Sequence, residues 1–411
     1  MTLSYSTDIV IFGGGLAGLW LHKRLRLAGY HVILIETAQL GGGQTLASQG
    51  IIHGGLKYAL GGNLTKAATT IANMPARWHR CLAGDDAMDL RRVKVLSEHY
   101  FMWSAPSLRS KIKTFLGSKS LQGRIVAVSR EQRPAFFDPA TGKGQLYQLP
   151  DFVIDSTSLI TELVRDQEHS LFHTTADRIN FIQAADQSIQ GVAIRLADSS
   201  LMINCQKCIF SAGEGNADLM NRTGIEAIAM QRRPLHMVML KHPALPPLYV
   251  HCISHDLSLT PILTITTHYD ANGQTVWYLG GELAESGVGK TMDQQIAAAR
   301  QQLLLFFPWL ELDKANWSSF HIDRAEARMI NRQRPDDAVF IEQNNAVVVF
   351  PTKFTLIPSL ADKLLDQLRN STLTKTELQA VCGLRQHLPL PPTGRTRWEH
   401  WPDQDRSCSN L

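Results

Sequence analysis

Cysteine is scarce and unpatterned: the six in 411 residues (Cys81, Cys205, Cys208, Cys252, Cys382 and Cys408) show no framework spacing. That excludes a disulfide-stapled secreted scaffold and favours a reducing compartment. Long apolar runs are missing as well, since no stretch approaches the roughly 20 apolar residues a membrane helix needs. The early apolar run contains Asp8 and is broken by three glycines, the wrong build for an export signal. The expectation is a cytoplasmic protein without a transmembrane segment, with peripheral membrane contact left open. Strong charge of one sign is also absent: 41 basic against 37 acidic residues give +4, and no clustered basic face argues for nucleic acid. A hydrophobic fraction of 44% with 19% charged residues leaves no composition for a long disordered stretch. At 411 residues the chain outgrows a single core, so two closely joined domains are expected.

Cys205 and Cys208 do form a C-x-x-C, inside Leu201-Met-Ile-Asn-Cys-Gln-Lys-Cys-Ile-Phe210. That segment reads as a strand, in which residues three apart face opposite ways. Two separate structural thiols are expected.

The opening residues carry more information. Asp8-Ile-Val-Ile-Phe12 is a short β-branched run suited to a buried parallel strand. Gly13-Gly14-Gly15-Leu16-Ala17-Gly18 follows, then a helical apolar stripe (Leu16, Leu19, Trp20, Leu21, Leu25) ending at Gly29. His31-Val-Ile-Leu-Ile35 is a second strand, closed by Glu36. Each part has a physical task. Gly13 permits the tight turn, Gly15 lets a pyrophosphate approach the backbone, and Gly18 lets helix and strand pack closely. The pyrophosphate would sit on the unpaired N–H groups of the helix start, with Leu16 and Ala17 among them. Glu36, eighteen residues past Gly18, suits the adenosine ribose hydroxyls and disfavours a 2′-phosphate. The unit is a Rossmann-type βαβ fingerprint for a dinucleotide.

The next segment selects among dinucleotides. Leu40-Gly-Gly-Gly-Gln-Thr45-Leu-Ala-Ser48, then Gln49-Gly-Ile-Ile-His53-Gly-Gly-Leu-Lys57-Tyr58, resembles the second block of the D-amino-acid-oxidase-like flavoprotein superfamily. The I-H-G-G-L-K-Y run is most similar to FAD-dependent glycerol-3-phosphate dehydrogenases, and somewhat to 2-hydroxyglutarate oxidases. Two further blocks match in order: Lys207-Cys-Ile-Phe-Ser-Ala-Gly213-Glu-Gly215-Asn, and Val347-Val-Val-Phe-Pro-Thr-Lys353-Phe354-Thr355-Leu356-Ile-Pro-Ser-Leu-Ala-Asp-Lys363. The resemblance spans about residues 8–370 and implies FAD as cofactor, held by Gly13, Gly15, Leu16, Ala17, Gly18, Glu36, Thr45, Ser48, Gly213, Phe354, Thr355 and Leu356. The chain departs from the glycerol-phosphate branch in two ways. It lacks the long helical domain, having a Pro/Arg/Trp-rich stretch after about residue 372, and Arg324 has no proline after it.

The implied fold is α/β: a Rossmann-type FAD-binding domain of the glutathione-reductase-like kind, with an interleaved antiparallel-sheet substrate domain. Residues 1–62, 151–225 and 325–372 are expected in the first, 63–150 and 226–324 in the second, and 373–411 in a tail. Thr65 to Leu82 reads as a helix, and Asp155 caps another. Leu235–Leu240, Leu248–Ile253, Pro261–Tyr269 and Thr275–Leu279 read as strands, with Asp270-Ala-Asn-Gly273 as a turn. The basic stretch Pro106–Arg133 is most simply a solvated face.

Oxidation by flavin needs a C–H aimed at the flavin N5, a proton acceptor, and a cationic grip on any anionic end. His53 is the candidate base or orienting donor. Lys57, Arg324 and Lys353 are candidates to hold a carboxylate or phosphate, and Tyr58 and Tyr278 to line the pocket. A helix starting near Thr355, with Lys353, would stabilise negative charge on the reduced ring. His236, His251, His255 and His268 lack ligand spacing, so no metal is expected. The leading function is removal of hydride from a small anionic hydroxy acid or polyol phosphate, with oxygen, a quinone or a redox protein taking the electrons. Two alternatives stand beside it: an amine or amino-acid oxidase, and a flavin-binding partner protein without turnover.

Overall fold

The computed structural model describes residues 2–55, 66–104, 125–140, 144–253, 261–329, 335, 337–371, 373, 381–399 and 401. The chain opens with β1 (Thr2–Phe12), α1 (Leu16–Leu27) and β2 (Val32–Glu36). Arg24 and Arg26 lie in the last turn of α1, where the helix dipole favours cations, and Gly29 at φ +89° turns the chain toward β2. Next come β3 (Ile51–Ile52), α2 (Lys66–Ala83), β4 (Val95–Ser97), β5 (Tyr100–Ser104), β6 (Val126–Ala127), β7 (Gln145–Leu149), β8 (Phe152–Ile154) and α3 (Ser156–Val164). The Asp155 carboxylate accepts the Ser158 N–H at 2.6 Å, capping α3 as its sequence implies. The middle holds β9 (Leu171–His173), β10 (Ile179–Gln183), β11 (Ile189–Arg195), β12 (Ser200–Phe210) and α4 (Asn216–Thr223). Then follow β13 (Met230–Lys241), β14 (Val250–Ile253), β15 (Leu263–Tyr269), β16 (Thr275–Gly280), α5 (Glu282–Glu285), α6 (Met292–Phe306) and β17 (Asn316–Ala327). β18 (Val339–Gln343), β19 (Ala346–Phe350) and α7 (Ile357–Arg369) complete the series.

Two large sheets divide these elements. In the first, β9, β2, β1, β12 and β19 are parallel neighbours, with β11, β10 and β18 added antiparallel. Strands buried on both faces read as the continuous apolar runs Ile9–Phe12, Val32–Ile35 and Val347–Phe350. The second runs β17-β13-β16-β15-β14-β5-β7-β6, antiparallel except where β14 meets β5. A small sheet, β3-β8-β4, joins the two lobes. The fold is the expected α/β one, with the antiparallel lobe interleaved in the chain.

Three details depart from the sequence reading. Residues 66–97, expected in the substrate lobe, pack into the first lobe: Ile71, Met74, Trp78, Met88, Leu90 and Val93 share its core with Trp20 and Leu360. The sulfurs of Cys205 and Cys208 lie 3.6 Å apart instead of on opposite faces. Here β12 exchanges one neighbour, β11, for another, β19. Residues 381–399 and 401, within the stretch expected as a tail, form a strap. The Leu40 N–H donates to Pro392 O and the Gly394 N–H to Leu40 O, each at 2.8 Å, on the first lobe. Trp398 then inserts into the second lobe, stacking on His268 at 4.2 Å, and Lys241 Nζ donates to Trp401 O at 2.8 Å. No described helix is long and apolar enough to cross a membrane.

Candidate functional site

Glycine geometry at the end of β1 separates scaffold from binding surface. Gly13 has φ +101°, and a Cβ there would lie 2.5 Å from the Ala212 backbone. A Cβ on Gly18 would lie 1.9 Å from Gly13 O. Both are required by packing. Gly15 differs, because its Cβ would meet nothing closer than Thr45 Oγ1 at 3.5 Å. The space above it is the floor of a cleft of about 920 Å³.

The first end of that cleft is built by hydrogen bonds that hold the turn. Leu16 N–H donates to Thr45 Oγ1 at 2.9 Å, and Ser48 Oγ donates to Thr45 O at 2.7 Å. The Glu36 carboxylate accepts from Gly14 N–H through Oε2 and from Ala38 N–H through Oε1. An ionised carboxylate offers about four lone-pair directions, so Glu36 keeps capacity for ribose hydroxyls. Gly13, Gly15, Leu16, Ala17, Glu36, Thr45, Ser48 and Gly213 all line this cleft, whereas Gly18 stays beneath it.

The other end is shaped by the segment after β19. Thr352 sits at φ +64°, a costly conformation for a β-branched residue. Past it, Lys353 and Phe354 line the cleft, and a 3₁₀ turn, Phe354–Leu356, leads into α7. A helix start leaves its first N–H groups without intrahelical partners, so this end favours negative charge. Thr355 and Leu356 have buried side chains. The Thr355 hydroxyl accepts the His53 N–H at 2.7 Å, tying the helix start to the His53 loop.

His53 and Arg324 line the same cleft, together with the apolar side chains of Leu235, Met237 and Ile322. The His53 ring is 38% exposed and its Nδ1 lies 3.0 Å from Asp151 Oδ2. The other carboxylate oxygen, Oδ1, accepts the Gly54 N–H at 2.9 Å. Beyond lies His251, its ring nearly parallel to that of His53 at 5.9 Å. Burial, and then the His53 ring, push the His251 pKa down to about 3, so it is neutral. His53, Asp151 and His251 bring donor atoms within 4.8 Å of one another. Spacing could not reveal that cluster, since the carboxylate is distant in sequence. Its contacts are hydrogen bonds: His251 Nδ1 is 3.0 Å from Thr264 Oγ1, and both Asp151 oxygens are occupied.

Arg324, on β17, donates from Nη2 to Glu285 Oε1 at 3.1 Å. Its buried Nε has no partner among the described residues. Tyr278 is fully buried and donates its hydroxyl to Ala47 O at 2.8 Å, bracing the Thr45–Ser48 loop without lining the cleft. Lys57 and Tyr58 lie outside the described residues. Sequence reading missed Asp151, Met237 and Gln49, the last of which lines the cleft and donates to Tyr278 O at 2.9 Å. Asp151 had one usable signal, its place directly before an apolar strand run.

The profile of the family described as FAD dependent oxidoreductase matches residues 8–340. The chain belongs to that family. A probable FAD-dependent oxidoreductase of Pseudomonas aeruginosa is 42% identical over 400 residues, covering 97% of this chain and 99% of that protein. A crystal structure of the FAD dependent oxidoreductase from that organism superposes with TM-score 0.81 at 38% identity, covering 97% of this chain and 99% of that one. L-alpha-glycerophosphate oxidase of Mycoplasma pneumoniae with FAD bound has TM-score 0.64 at 15% identity, over 92% of this chain and 98% of that one. Glycine oxidase of Geobacillus kaustophilus has TM-score 0.64 at 13% identity, over 91% and 100%. These last two share the fold. The protein is therefore an FAD-dependent oxidoreductase, and its cleft fits the cofactor: open above Gly15, acidic at Glu36, continuous to the helix start behind Phe354.

Proposed function

We propose that this FAD-dependent oxidoreductase oxidises a small anionic hydroxy acid or polyol phosphate, with a hydroxy acid the better fit. The observation that carries the reading is a single cleft lined by both His53 and Arg324. Bound FAD would supply the two-electron acceptor for the substrate C–H. The chain's residues do the rest. Phe354 and the Thr45–Ser48 loop would hold the cofactor, and Arg324, which lines the cleft, would grip the substrate anion alongside Lys353. His53 would take the hydroxyl proton, while Leu235, Met237 and Ile322, which line the same cleft, would help keep water from the substrate. Glu285 already offsets part of the Arg324 charge, which suits a singly charged carboxylate better than a phosphate dianion. The same pair favours a second reading: beside a guanidinium, a carboxylate can also receive an ammonium group, as an amino acid would present.

Anaerobic mixing of the holoprotein with L-lactate, glycolate, glycerol 3-phosphate, glycine and L-alanine separates the readings by bleaching of the flavin band. A hydroxy acid should bleach it. Bleaching by an amino acid alone would replace the first reading with the second. Arg324→Met should raise the half-saturating substrate concentration by about 10- to 100-fold, the worth of one charge-assisted hydrogen-bonded pair. An unchanged value would remove Arg324 from the grip.

A further inference from the structure

Building on the proposed role of His53 as proton acceptor, we infer that Asp151 is its positioning residue, fixing which ring nitrogen faces the cleft. The ladder between β3 and β8 pairs Ile51 with Val153 and Ile52 with Phe152. One step further, that register sets residue 53 opposite residue 151. Asp151 therefore reaches His53 from a rigid strand start rather than from a wandering loop. It is 2% exposed and holds the loop twice, the Gly54 N–H through Oδ1 and His53 Nδ1 through Oδ2. The His53 backbone is tied from a third direction by Thr355 Oγ1. Ring and backbone are thus both fixed.

A carboxylate accepts hydrogen bonds and donates none, so the nitrogen facing it carries the proton. Neutral His53 is then the Nδ1–H tautomer, with its Nε2 lone pair on the side away from Asp151. Once Nε2 takes a substrate proton, the same carboxylate stabilises the imidazolium. The neighbours do not compete for this proton. His251, from β14, is neutral, and the buried Tyr100 of β5 has its pKa pushed well above the usual phenol range by burial and then by Asp151.

Asp151→Asn tests the arrangement without changing its shape. The new amide oxygen can still accept from Gly54 N–H, but its NH₂ would face His53 Nδ1 and donate to it. The tautomer should reverse, leaving Nε2 protonated toward the cleft. Histidine ¹⁵N spectra of the wild-type holoprotein, assigned by loss of a signal pair in His53→Asn, should show a protonated Nδ1 and an unprotonated Nε2. Asp151→Asn should exchange the two, retain FAD, and slow anaerobic flavin reduction roughly a hundredfold with half-saturation nearly unchanged. A wild-type His53 protonated on Nε2 overturns the inference, and so does an exchanged tautomer with an undiminished reduction rate. If no tested substrate bleaches the wild type while its Nδ1 proton is present, the substrate reading fails and the Asp151 assignment stands. The wild-type spectrum decides the tautomer even if the variant does not fold.

Discussion

At the residue scale, the two glycines either side of Gly14 respond differently to substitution. Gly13 is held by its φ of +101° and by the Ala212 backbone, so any side chain there should prevent folding. Gly15, with φ −71° and ψ −179°, has ordinary extended geometry and open space above it. Gly15→Val should give a folded protein without flavin. The check is the ratio of flavin to protein absorbance, read beside far-ultraviolet circular dichroism and compared with wild-type apoprotein. Full flavin content would mean that the pyrophosphate does not cross Gly15. Sequence alone made this loop legible because every element of the fingerprint is local: strand, turn, helix and acid lie within residues 8–36. Asp151 was not legible for the opposite reason. Its partner lies 98 positions away, and only the β3–β8 register brings the two together.

Among elements, strands with apolar runs and helices with a cap residue could be read directly, as with β2, the Leu235–Leu240 part of β13 (which begins at Met230) and the Asp155 start of α3. Helix α6 carries an equally good signal that passed unread. Thr291 and Gln294 form a capping box at its start, but its buried stripe is thin, only Gln295, Ala299 and Leu303. One pair inside the second sheet deserves a test of its own. Lys241, on β13, and Asp270, after β15, pair at 2.7 Å with side chains 6% and 3% exposed. Removing one charge strands the other in the interior. Asp270→Asn should lower unfolding stability by about 3 kcal/mol, measured as a shift in the urea midpoint of the holoprotein. Adding Lys241→Met should recover most of that loss. Failure to recover would assign the cost to the bonds each residue makes outside the pair, Asp270 with the Asn272 and Gln274 N–H groups and Lys241 with Trp401 O.

Across the whole molecule, three buried histidines couple stability to acid. His22, His251 and His268 have pKa values pushed down to about 3, by burial first in each case. In the unfolded chain they titrate near pH 6.5. Below that pH the unfolded chain gains protons that the folded protein refuses until about pH 3, so stability is greatest above 6.5 and falls on acidification. The slope is up to about 1.4 kcal/mol per pH unit for each histidine. Thermal unfolding of the holoprotein should therefore drop steadily between about pH 7 and pH 5, and a flat profile would contradict the burial assigned to these rings. What sequence reading could not see at this scale is the strap. Its Pro-, Arg- and Trp-rich composition says only that it is no helix, and each of its anchors is distant: Leu40, Lys241 and His268. Those anchors bear on biosynthesis. Residues 381–399 leave the ribosome after every strand they fasten, and they fix the loop beside the dinucleotide groove through Leu40. Flavin capture should then be a late event, completed only after residues 381–399 have emerged. A nascent chain stalled with residue 380 as its last exposed position should take up FAD far more weakly than the finished protein.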